Sequence, residues 1–156
     1  MKLFAALLLL TSPALAASDV ASISGTPRIV DGDTLVIDGT RIRLYGIDAP
    51  ETKQTCQRDG LDWLCGQEAS KALRDYVGGA GLSCERLDTD RYGRMVAKCF
   101  MPDGTDIGEW MVSNGWALAY RIYSKDYVDE EAVAKTGGRG LWNGTFITPW
   151  KWRRVH

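Results

Sequence analysis

Through the first half of the chain, apolar and polar positions follow a two-residue period. Residues 22–30, 34–37 and 40–47 are rich in β-branched and apolar side chains, and in Thr40-Arg41-Ile42-Arg43-Leu44 the alternation is strict. Between the second and third of these runs stands Asp38-Gly39, the dipeptide that accepts positive φ at both centres of a tight hairpin. Residues 82–87 and 94–100 predict a second hairpin across the polar stretch 88–93. The period changes at 67–77, where Ala69, Ala72, Leu73, Tyr76 and Val77 recur at helical spacing before the stop Gly78-Gly79. Asp106, with Glu109 three residues on, predicts the cap of a short helix ending near Asn114-Gly115, and a third helix is expected over 126–136. The pattern describes an α+β fold, a small β-barrel with helices on and after it, without repeats or linkers.

The N-terminus breaks this pattern. Lys2 precedes the apolar run 3–10 and then Ala14-Leu15-Ala16, the layout of a secretory signal peptide cleaved after Ala16. The run is far short of the roughly 20 residues a membrane span requires. Cleavage would leave residues 17–156 as one domain, and nothing in its length demands more than a monomer. The 19 Lys+Arg against 20 Asp+Glu exclude a polycation that grips nucleic acid by bulk charge, so an anionic substrate must be caught locally.

Export makes the four cysteines readable as two disulfides. The second hairpin brings Cys84 opposite Cys99, and closing that loop is worth about 3 kcal/mol on a chain-entropy estimate. Cys56 and Cys65 then staple a loop. Zinc is disfavoured, since no pair is spaced Cys-x-x-Cys and the only histidine is His156. The same lone histidine removes the usual base of serine and cysteine hydrolases.

Candidate chemistry concentrates in Asp31-Gly32-Asp33-Thr34 and Asp48-Ala49-Pro50-Glu51, which the Asp38-Gly39 hairpin carries to one end of its strands. Carboxylates that converge repel one another unless a cation intervenes, and hard oxygens suit calcium or magnesium. An EF-hand is excluded, because counting from Asp31 places Ile42 where its last acid belongs. Arg43 and Arg94 offer the planar fork that matches phosphate, although a solvated strand and a turn explain each one alone. Strict alternation sets Asp33 and Arg43 on opposite faces, so a shared site requires a bulge or sharp coil near Gly32 or Gly46.

Taken together, Ile29-Val30-Asp31-Gly32-Asp33-Thr34, then Arg41-Ile42-Arg43-Leu44-Tyr45-Gly46-Ile47-Asp48-Ala49-Pro50-Glu51, then Asp90-Arg91-Tyr92-Gly93-Arg94 resemble the three signature blocks of the staphylococcal nuclease (thermonuclease) family. The likeness continues more weakly through Gly115-Trp116-Ala117 and 120–123 to Gly140-Leu141-Trp142. It implies a five-stranded OB-type barrel with about three helices, a fold that commonly binds oligonucleotides. It also implies a calcium-dependent nuclease for DNA and RNA, with Asp33, Asp48 and the carbonyl of Ala49 as Ca2+ ligands. Glu51 would be general base, Arg43 and Arg94 the catalytic phosphate holders, and Tyr92 and Tyr123 substrate-binding tyrosines. Ala49 replaces a threonine of the best-known member, and Arg121 stands where a further family tyrosine is expected. The contrasting class is a noncatalytic OB module that binds oligonucleotides or a protein. The tail Pro149-Trp150-Lys151-Trp152-Arg153-Arg154 reads first as an aromatic anchor with solvated basic side chains and second as a stretch that stacks on bases and attracts phosphate.

Overall fold

The structure is a computed structural model that describes residues 21–156. The leader-like residues 1–16 lie outside the described residues. Residues 22–30 form two short strands, β1 (Ser22–Gly25) and β2 (Arg28–Ile29), because Pro27 cannot donate to a ladder between them. β3 (Thr34–Ile37) and β4 (Thr40–Leu44) flank the expected turn, whose Asp38 and Gly39 take φ of 46° and 79°. The chain then turns at Gly46, φ 73°, into β5 (Ile47–Asp48).

A third hairpin, β6 (Cys56–Arg58) and β7 (Leu61–Trp63), was not expected. Its signal was present in Asp59-Gly60, which repeats the positive-φ pair of the first turn at 52° and 74°. After it come α1 (Cys65–Val77), β8 (Leu82–Thr89), β9 (Met95–Phe100), α2 (Ile107–Ser113), β10 (Leu118–Ala119) and α3 (Val128–Thr136). A single 3-10 turn, Gly140–Trp142, precedes α4 (Pro149–Val155), a fourth helix in the stretch read as a tail.

Six strands make one curled sheet in the order β1-β8-β9-β4-β3-β2, with β4 and β9 parallel and the other pairs antiparallel. The five-stranded expectation is corrected to this six-stranded half-barrel with two two-stranded ribbons, β10-β5 and β6-β7. The class is α+β and OB-like. The curl brings β1 back toward β3, so that a Cβ on Gly25 would lie 2.8 Å from Ile37 Cγ2. Leu35, Ile37, Ile42 and Leu44 fill the inner face against Ala69, Leu73 and Val77 of α1 and Ile107, Met111 and Val112 of α2. Asp106 caps α2 by accepting the Gly108 and Glu109 amides, and its second oxygen accepts the Tyr127 hydroxyl at 2.7 Å, which ties α3 to the cap.

Both disulfides pair as expected, Cys84 with Cys99 across β8-β9 and Cys56 with Cys65 under the third hairpin. The latter bond sits in a second apolar cluster with Leu118, Leu141, Trp63, Trp142, Phe146 and Trp150. That cluster seats α4. Among the described residues no helix is long and apolar enough to cross a membrane.

Candidate active site

Asp33 precedes β3 in a bend, where strand alternation does not yet apply. Its backbone carbonyl accepts the Leu44 amide at 2.8 Å, while its side chain leans along the barrel end toward β4. There Arg43 Nη1 meets Asp33 Oδ1 at 3.0 Å, although the backbone of Arg43 pairs with Thr34. The turn at Gly46 brings the next residues back under the same guanidinium. Arg43 Nη2 donates to the Ile47 carbonyl at 3.2 Å and lies 3.5 Å from Asp48 Oδ1. Glycine is required at this coil, since its φ is positive and a Cβ would come within 3.1 Å of the Tyr127 ring. Gly32 permits the matching close approach on the other side, where a Cβ would lie 2.7 Å from that of Ala49. Asp33 and Arg43 therefore share one site.

Asp33 and Asp48 are both buried, and Asp33 is held at every oxygen. Its Oδ2 accepts the Ala49 amide at 2.8 Å, and Oδ1 accepts the Thr34 hydroxyl at 3.1 Å. Burial alone would raise its pKa. The Arg43 charge and these hydrogen bonds outweigh it and hold the carboxyl below the ordinary value. Asp31 has one compensating contact, the Asp33 amide donated to its Oδ1 at 3.1 Å, and it is outweighed. Burial, then the charge of Asp33, push it up to about 7. Asp48 is also shifted upward by burial, against the hydrogen bonds it accepts from Arg153.

Glu51 is positioned by a residue that sequence reasoning missed. The fully buried Gln54 accepts the Glu51 amide on Oε1 at 3.2 Å, returns its own amide to the Glu51 carbonyl at 2.7 Å, and donates from Nε2 to Ile147 at 2.6 Å. α1 packs hard against this turn, because a Cβ on Gly66 would lie only 1.8 Å from the Glu51 carbonyl oxygen.

Arg94 comes from the opposite rim. In the β8-β9 turn, Asp90 accepts Arg94 Nε at 2.6 Å, the Arg94 amide at 3.0 Å and the Tyr92 amide at 2.9 Å. Fixing the guanidinium through Nε leaves its two-pronged Nη end for a ligand, and Arg94 lines the cleft. Tyr92, stacked under Arg91 and Arg94, and Tyr123 are exposed. A cleft of about 620 Å³ gathers Asp31, Asp33, Arg43, Glu51, Tyr92, Arg94, Tyr120 and Tyr123. Asp48 and Ala49 lie behind its wall, buried. Arg121 turns away to Glu131 at 2.7 Å, so Tyr120 is the tyrosine that lines the cleft there.

The expectation that the basic tail is solvated is corrected at one residue. Lys151 and Arg154 are exposed, and Arg153 keeps 38% of its side chain exposed while its guanidinium is ion-paired. Arg153 enters the cleft, its Nη1 and Nη2 each 2.9 Å from an oxygen of Asp48 and Nη1 2.8 Å from Glu51 Oε1. A helix start was legible in Thr148-Pro149, and i,i+3 spacing puts Trp150 and Arg153 on one face. The anchoring half of the expectation agrees with the stack of Trp150 on Tyr120 at 5.5 Å.

Four carboxylates, Asp31, Asp33, Asp48 and Glu51, thus meet two guanidiniums, Arg43 and Arg153. Among the described residues no three metal-ligating side chains already form a cage, since the arginines stand between the acids. The donor set still fits a divalent cation. It is all hard oxygen, it carries excess negative charge, and Asp48 and Glu51 already share one cationic group.

The family of staphylococcal nuclease homologues matches residues 41–144 of the chain. The chain is 37% identical over 140 residues to a succinoglycan biosynthesis protein, ExoI, of Rhizobium meliloti (strain 1021), covering 88% of this chain and 72% of that protein. It is 36% identical over 133 residues to an uncharacterized endonuclease of Escherichia coli O157:H7, covering 81% of each. It is 33% identical over 145 residues to a micrococcal nuclease of Shigella flexneri, covering 82% of this chain and 78% of that one. The matched span includes Arg43, Asp48, Glu51 and Arg94, which the fold brings to one cleft and its wall, and by this match the chain belongs to the staphylococcal nuclease family.

Proposed function

We propose that the protein is a calcium-dependent nuclease that hydrolyses phosphodiester bonds of DNA and RNA with little sequence selectivity, acting as an exported monomer. The observation that carries this reading is the convergence of Arg43, Glu51 and Arg94 on one cleft whose wall holds Asp33 and Asp48. The leader-like N-terminus and the two disulfides support export. All the groups named come from one chain.

Asp33, Asp48 and the carbonyl of Ala49 would hold calcium, which when bound supplies positive charge to a phosphate oxygen. Glu51 orients a water molecule and takes its proton as the oxygen attacks phosphorus in line with the leaving ester oxygen. A carboxylate is a feeble base at an ordinary pKa near ~4.3, so placement by Gln54 and Gly66 carries much of its effect. Arg43 and Arg94 grip the phosphate and stabilise the extra charge of the five-coordinate state. Neither is assigned as the acid, because a guanidinium pKa above ~12 makes proton release costly; the P–O ester bond breaks and the leaving oxygen takes its proton from solvent water in the open cleft. Tyr92, Tyr120 and Tyr123 offer apolar faces to sugar and base without reading sequence.

Plasmid digestion with calcium, with chelator, and by Glu51→Gln tests this directly. Chelation and the substitution should each suppress cleavage by about 10²-fold or more. Equal activity in all three contradicts the mechanism, and no activity in any favours the noncatalytic oligonucleotide binder.

A further inference from the structure

The helix that closes the chain ends in a cation seated on the acids assigned to another cation. Arg153 donates from both Nη groups to the two oxygens of the fully buried Asp48, at 2.9 Å each, and spans to Glu51 Oε1 at 2.8 Å. Arg43 stands 3.5 Å from one of the same Asp48 oxygens. A bidentate guanidinium covers the side of a carboxylate from which a metal ion is also best held. Arg153 does not reach there as a loose surface side chain. One turn earlier Trp150 stacks on Tyr120 and sits in the second apolar cluster, and the Lys151 and Trp152 amides donate to Thr148 at 3.0 and 2.9 Å. Gln54, which positions Glu51, also holds Ile147 at the entrance to α4. The helix and the general base are braced through one buried amide.

We propose that Arg153 and a divalent cation compete for Asp48 and Glu51, so that α4 is a latch released as the metal enters. This rests on the calcium reading above and adds a residue to it. A divalent ion on Asp48 must break guanidinium contacts and then faces a positive charge at close range. Until it arrives, Arg153 offsets the repulsion among the carboxylates. The latch thereby raises the calcium concentration at which the site fills, and it keeps Glu51 engaged below that concentration.

Titration of the full chain with calcium chloride alone, by calorimetry, reads this without any nucleic acid. Arg153→Gln should bind calcium at least about tenfold more tightly than the parent, Arg153→Lys should fall between them, and Arg154→Gln, the same charge change on an exposed neighbour, should match the parent. In the parent, calcium should speed amide hydrogen exchange across residues 149–156. Equal or weaker calcium binding by both Arg153 variants overturns the competition. So does slower exchange of the helix with calcium. Unchanged calcium affinity with weakened binding of a short oligodeoxynucleotide would instead make Arg153 a phosphate holder. If neither the parent nor any variant binds calcium, the metal reading itself fails, a result distinct from the loss of the latch alone.

Discussion

Two arginines address the same cleft from supports of very different stiffness. Arg43 rises from β4, its strand paired on both sides by β3 and β9, and its guanidinium bonds Asp33, the Ile47 carbonyl and the edge of Asp48. Arg94 follows the turn between β8 and β9 and leans on one carboxylate, Asp90. The first is part of the fold's own electrostatics as well as the site. The second is held only locally, so its loss should be felt by substrate and hardly by the fold. One cleft thus combines a structural arginine with a rim arginine, and the difference is measurable.

The largest effect should come from Arg43→Met. It leaves Asp33 buried without its charged partner, a change that costs about 3–5 kcal/mol and threatens folding outright. Urea unfolding reads it. Arg43→Lys keeps the charge but not the fork, so it should remain folded and still lose about 10²-fold in kcat/KM. Arg94→Met should lose about 10²- to 10³-fold in activity while stability changes by less than about 1 kcal/mol, because its ion pair is made within a single turn and Asp90 keeps the Tyr92 and Arg94 amides as donors when the guanidinium is lost. Comparable destabilisation by Arg43→Met and Arg94→Met would erase the distinction.

Much of the stiff side was legible in the residues themselves. Alternation in 40–44, the Asp38-Gly39 turn and the glycines at 32 and 46 define strands, register and the places where backbone departs from them. Local signals of that kind depend on neighbours in sequence. The pairing of Cys84 with Cys99 followed for the same reason, from a hairpin. What was not legible depends on distant partners: Gln54 looks like any polar loop residue until Ile147 lies against it, and Arg153 looks solvated until α4 folds back on Asp48, 105 positions away. The third hairpin was the exception, since Asp59-Gly60 advertised it locally and was overlooked.

A substitution behind the stiff side sharpens the contrast next. Gly66→Ala would drive a methyl group into the Glu51 carbonyl, which lies 1.8 Å from the position of its Cβ, and the neighbour is backbone that cannot swing aside. α1 and the Glu51 turn must then separate. If Glu51 is the general base proposed above, displacing it by about 1 Å costs on the order of 10²-fold, so kcat should fall by that factor in the DNA-cleavage assay. Gly81→Ala, where a Cβ meets nothing within 4 Å, is the control and should behave as the parent. Unchanged kcat in Gly66→Ala would show that Glu51 is not positioned through α1.

The smallest effect belongs to the loose side and turns on pH. Burial pushes the Asp90 carboxyl up, but the Arg94 amide and guanidinium and the Tyr92 amide together hold it below its ordinary value. A carboxylate with a depressed folded pKa contributes fully above its unfolded value, near ~3.9, and loses that contribution as pH falls through the folded one. Acid should therefore loosen the turn and free Arg94, whereas at neutral pH Asp90 grips it completely. Asp90→Asn imitates the protonated state at every pH. It should lower kcat/KM at pH 7 by about tenfold, with stability within about 0.5 kcal/mol of the parent, because the Asn amide oxygen can still accept the Tyr92 and Arg94 amides and only the charged contact to the guanidinium is lost. Asp90→Glu, keeping the charge on a longer arm, should recover part of the loss. Full activity in Asp90→Asn would mean that Arg94 is oriented by the substrate phosphate alone, and the rim would then need no carboxylate to match what Asp33 does for Arg43.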